Sequence, residues 1–84
     1  MDAKTITIHV FVEVSKNDQR ELTFHSELVT GLQIKDAAKV PADSDLALRQ
    51  HGELVLVMND EQVTIKEGEH FVSLPAGTIS WVVR

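Results

Sequence analysis

Cysteine is absent from the 84 residues, which excludes a disulfide scaffold, a thiol nucleophile, a thiolate zinc site and a redox role. Long apolar runs are missing too, and none approaches the roughly 20 residues of a membrane-spanning helix. The opening Met1-Asp2-Ala3-Lys4-Thr5 has neither the basic nor the apolar region of a signal peptide, so the expected location is cytoplasmic. Positive charge is scarce: eight Lys plus Arg against thirteen Asp plus Glu leave a net charge of −5. The basic residues do not cluster or interleave with aromatics, so neither nucleic acid nor a membrane is an expected partner. The acidic balance favours solubility and a basic partner surface.

Catalytic signatures are equally thin. No G-x-S-x-G occurs, and the four glycines never gather into a phosphate-binding loop. The acids Asp43, Asp45, Asp60, Glu61, Glu67 and Glu69 fall in predicted turns, where carboxylates serve as solvated or capping groups. No apolar pocket is predicted beside them to perturb their pKa values. The expectation is a protein that is not an enzyme and needs no cofactor.

What is present is periodicity. Ile6, Ile8, Val10, Val12 and Val14 are apolar at every second position, while Thr5, Thr7, His9 and Glu13 fill most of the alternate ones, which predicts a half-buried strand. Phe11 is the exception on the polar face. After the turn-forming stretch 15–19, Leu22 and Phe24 resume the alternation, and the two runs predict an antiparallel hairpin. Thr30 with Gln33 three positions on has the spacing of a capping box, with Val29 and Ile34 placed for a hydrophobic staple. Pro41 lacks an N–H and disfavours helical geometry at Val40, so the helix should end near Lys39. Gly31 in its first turn points to close packing of the helix start. Short strand candidates follow at 46–49, 54–58, 63–65 and 70–74, separated by turns at His51-Gly52, 59–62 and 66–69. No internal repeat, linker or low-complexity segment is visible. Residues 1–75 are expected to form one domain and 76–84 a C-terminal tail.

A hairpin, one helix and further short strands predict an α+β fold, a mixed four- to five-stranded sheet with the helix on one face. That is the β-grasp order, in which the first and last strands lie parallel and adjacent. A ferredoxin-like fold would need a second helix, and no second segment has the periodicity for one.

Beyond periodicity, several segments resemble a known family. They are Thr30 to Lys35, Val40-Pro41-Ala42-Asp43 with Leu46 close behind, Val63 to Phe71, and Pro75. Together they resemble the bacterial multiubiquitin domain over roughly residues 5–75, a ubiquitin-like β-grasp family. The resemblance implies a protein modifier whose C-terminus is activated as an adenylate by an activating enzyme, passed to a conjugating-enzyme cysteine and joined to target proteins. It also implies a zinc-dependent isopeptidase as a partner and a link to antiphage defence. Ubiquitin-like modifiers commonly end in two glycines, whereas this chain ends Trp81-Val82-Val83-Arg84. Three expectations follow: Arg84 is conjugated directly, or a peptidase trims the tail with Gly77 as the natural new terminus, or this copy does not conjugate. A sulfur carrier of the same fold would need a terminal glycine thiocarboxylate, against which Arg84 argues. A non-covalent β-grasp interaction module is the alternative reading.

Ile79, Trp81 and Val83 would share one side of an extended tail. They form either a recognition strand with Trp81 as anchor or simply an additional strand or a dimer contact. His9 and His25 are expected to face each other across the hairpin, but two ligands make a weak metal site and no third is indicated, so no metal is expected. The sheet face opposite the helix, bearing Thr7, His9 and Phe11 on its first strand, is the expected partner-binding surface.

Overall fold

The computed structural model describes residues 6–77. Apolar alternation produces strand β1 (Ile8–Ser15), which buries Ile8, Val10 and Val12 on one face. A tight turn at Lys16-Asn17 leads into β2 (Asp18–Phe24), so the hairpin loop is shorter than the sequence predicts. Its register sets Val10 opposite Leu22 and Phe11 opposite Glu21, with a shift between Glu13 and Ser15. His9 therefore stands opposite Thr23 and not His25, because the two-residue turn at Lys16-Asn17 sets the register of the hairpin. The expected His9–His25 pair does not form. His25 instead places Nδ1 3.1 Å from the Ile6 carbonyl.

Strand β3 (Leu28–Thr30) runs straight into helix α1 (Gly31–Ala38). The capping box is complete: Gln33 N–H donates to Thr30 Oγ1 at 3.2 Å, and Thr30 N–H donates to Gln33 Oε1 at 2.8 Å. The staple residues Val29 and Ile34 are both buried in the core. At the other end Lys39 takes the left-handed conformation (φ 62°), and the N–H groups of Lys39 and Val40 close back onto Asp36 and Lys35. Arg20 on β2 donates to the Ala38 carbonyl, putting a cation at the negative end of the helix dipole.

Strands β4 (Asp45–Gln50) and β5 (Glu53–Leu56) form a second hairpin, followed by β6 (Gln62–Thr64) and β7 (Glu69–Leu74). The main sheet has the order β2-β1-β7-β4-β5, with β1 parallel to β7 and every other pair antiparallel. This is the β-grasp arrangement, five strands and one helix. A separate two-stranded ladder of β3 and β6 was not anticipated. Residues 28–30 are too few to show a period and read only as the approach to the helix. The acids Asp45 and Glu69 open β4 and β7 and so do not lie in turns as expected.

The core lies between α1 and one sheet face, built on Phe71, Ile34, Leu46, Ile65, Val10 and Val12. Lys35 is also buried, on the helix. Its ammonium donates to the carbonyls of Ala42 (3.0 Å) and Ser44 and to Asn59 Oδ1 (2.7 Å), so all three of its N–H bonds are used. The segments that follow α1 and β5 are thereby pinned to the helix.

Candidate functional site

Sheet alternation decides what the helix-free face displays. Because Val10 and Val12 point to the core, His9, Phe11 and Glu13 point away from it, together with their ladder partners. One cross-strand row reads Gln19, Glu13, Val72, Ala47, Leu56 from β2 to β5, and the next holds Glu21, Phe11 and His70. Arg49 pairs with Leu54 on the same face. The surface is thus apolar from its middle to its β5 edge: Phe11, Leu54 and Leu56 are half-buried, and Val72 and Ala47 are buried without facing the helix. The Phe11 and His70 rings stack, with centroids 5.1 Å apart and planes at 23°.

The charges around this patch are largely paired with one another. Glu67 accepts from the His9 backbone N–H at 2.8 Å, and its other oxygen lies 3.1 Å from His9 Nδ1. The backbone hydrogen bond, chiefly, holds the Glu67 carboxyl below its ordinary value of 4.5. Gly68, at φ 83°, turns its N–H back to the His9 carbonyl at 2.7 Å. Arg49 pairs with Glu13 at 3.3 Å.

Of the residues expected to carry function, Phe11 lies on this face and Gly77 stands exposed three residues beyond β7. Ile79, Trp81, Val83 and Arg84 lie outside the described residues. An open groove beside the departing chain is walled by Val14, Val40, Pro41, Leu74 and Pro75. Asp43 also lines it, so this acid sits beside an apolar wall that the sequence did not predict. Among the described residues no group of three His, Asp or Glu side chains could hold a metal, and no helix is long and apolar enough to cross a membrane.

Sequence reasoning found Phe11 but missed Val72, Ala47, Leu54 and Leu56. The available signal was the consecutive apolar runs Leu46-Ala47-Leu48 and Phe71-Val72, which mark strands covered on both faces.

The topology and the helix caps agree with a comparison of the sequence with family models, in which the model described as multiubiquitin matches residues 18–76. The chain belongs to the multiubiquitin family. Most of the ubiquitin-like fold falls inside the matched span, from β2 through α1 to the end of β7, while β1 precedes it. None of the curated proteins and none of the solved structures matches the chain. For this multiubiquitin domain the fold signatures named above all lie within the match: the Thr30–Gln33 cap, the Val40-Pro41 helix exit and the Gly68–Phe71 lead-in to β7.

Proposed function

We propose that this chain is a bacterial ubiquitin-like protein modifier, joined to targets through its C-terminal carboxylate, and that the helix-free face is where its enzymes recognise it. Membership of the multiubiquitin family carries this reading. The central strand β7 supports it by leading directly to the exposed Pro75-Ala76-Gly77 at the end of the sheet. In such chemistry the terminal carboxylate attacks the α-phosphate of ATP and pyrophosphate leaves. A thiolate of the activating enzyme then displaces AMP to give a thioester. After transfer to the conjugating-enzyme cysteine, a target amine displaces that thiol to form an amide, and a partner isopeptidase hydrolyses it. The modifier supplies only the carboxyl group and the surfaces that position it. A role in antiphage defence belongs to the same reading.

The experiment is intact-mass analysis, with fragmentation of the C-terminus, of an N-terminally tagged copy purified under denaturing conditions from its native host. Adducts through the last residue, or a terminus trimmed at Gly77, are expected. A single unmodified species ending at Arg84, with the neighbouring genes expressed, would replace this reading with a non-covalent interaction module. That second reading is favoured by the apolar helix-free face, which can bind a partner without any covalent step. Titration of the activating enzyme with Trp81→Ala tests the tail: a loss of affinity supports Trp81 as an anchor, and unchanged affinity removes it.

A further inference from the structure

The helix-free face carries an arrangement of charge as well as apolar surface. Beside Phe11 and Val72, on the β1–β2 side of the face, stand three carboxylates: Glu13, Glu21 and, through its contact with His9, Glu67. Against them the five strands of the main sheet place one permanent cation there, Arg49, and none of those strands contains a lysine. Arg20 of β2 belongs to the opposite face, where it meets the end of α1.

Arg49 is already engaged with Glu13, and the geometry of that pair is unusual. Glu13 is on β1 and Arg49 on β4, and β7 lies between them. Neighbouring strands are about 4.8 Å apart, so the two residues reach toward each other over β7, a backbone separation of roughly 10 Å. Val72 of β7 and Ala47 of β4 share Glu13's row, and both are buried although they face away from the helix. The ion pair is a strap across the apolar middle of the face. Both of its side chains are about half exposed, 50% and 43%, so water screens the pair and it is weakly held.

We propose that this face docks a protein segment with an apolar centre and a lysine- or arginine-rich rim, and that docking replaces Arg49 at Glu13 with a cation of the partner, opening the strap over Val72 and Ala47. The proposal rests on the reading of this face as the recognition surface and adds the chemistry of what it recognises. Charge complementarity selects the partner: an acidic rim would meet Glu21 and Glu67 and be repelled, whereas a basic rim is steered in and can satisfy Glu13 as Arg49 leaves.

The test uses three synthetic probes against the full chain, followed by backbone amide shifts. One is an amphipathic helical peptide of leucine and lysine, the second has glutamate at every lysine position, and the third has serine at every leucine position. The leucine–lysine peptide is expected to bind roughly tenfold more tightly than either counterpart. Its shifts should concentrate at Phe11, Ala47, Leu54, His70 and Val72. Arg49→Gln, which removes the strap, is expected to tighten that binding about two- to five-fold, and Glu21→Lys to weaken it by a similar factor. Equal binding of the glutamate or serine peptide, shifts centred elsewhere, or weaker binding by Arg49→Gln would each overturn the proposal, as would no binding by any probe. The mass analysis above is independent. Adducts without peptide binding would leave the modifier reading standing alone, and peptide binding without adducts would leave the docking face alone.

Discussion

Gly31 and the carbonyl oxygen of Met58 approach so closely that a β-carbon on residue 31 would collide with that oxygen and meet Val57 Cγ1 at 3.1 Å. The contact lets the helix start sit against the segment after β5, where Gly31 and Leu32 N–H groups donate to Glu61 and Asn59 carbonyls at 3.2 and 3.0 Å. Helix amides that would otherwise lack partners are satisfied there. Alanine gains about 1 kcal/mol over glycine in a helix interior, but overpacking against backbone that cannot rotate away costs more, about 1–3 kcal/mol or beyond. Gly31→Ala should therefore destabilise the fold by about 2 kcal/mol net. Urea unfolding checks this, and an alanine variant as stable as the parent would refute the close-packing account.

Among the described residues Lys35 is the only charged one that is buried, and its value lies in the three oxygens it satisfies. Lys35→Met keeps most of the stem and removes the donors, leaving the Ser44 carbonyl and Asn59 Oδ1 short of a partner, while the Ala42 carbonyl keeps the Asn59 side-chain amide as its donor. The expected loss is about 2–3 kcal/mol. Hydrogen exchange should quicken first in segments 41–45 and 57–61. Even protection across the chain in the variant would count against the pinning role.

The β4–β5 hairpin turns through His51 (φ 52°) and Gly52 (φ 80°), both in the left-handed region. Such a two-residue turn favours Asn-Gly, because asparagine adopts positive φ at lower cost than histidine. His51→Asn should raise stability by about 0.5 kcal/mol, visible as a higher urea midpoint at unchanged slope. A lower midpoint would show that the His51 side chain contributes something the backbone does not reveal.

Glu67 gives the fold a pH dependence whose sign is fixed. Its folded-state pKa is lowered, chiefly by the hydrogen bond from His9 N–H, so the unfolded chain binds its proton more readily. The stabilisation is present in full above the unfolded value and disappears as pH falls through the lowered one. Comparing unfolding of the parent with Glu67→Gln across the acid range should show a gap near neutrality that closes as the solution becomes acidic. A gap independent of pH would mean that charge on Glu67 contributes nothing.

The strands, the single helix with both its ends, and the family were within reach of the sequence, because each rests on local chemistry. Alternation at Val10 and Val12 fixes a face, Thr30 and Gln33 satisfy each other three residues apart, and Pro41 stops a helix wherever it occurs. Register was not within reach. Nothing local distinguishes His9 opposite His25 from His9 opposite Thr23, a difference set by a hairpin turn two residues long. The apolar helix-free face needed still more, since Phe11, Val72, Ala47 and Leu56 come from four strands that only the parallel crossing of β1 and β7 brings into one surface. Lys35 shows the same limit from the other side. A lysine on a short helix is by default solvated, and only tertiary structure, by placing three oxygens from distant segments around its ammonium, offsets the cost of removing it from water.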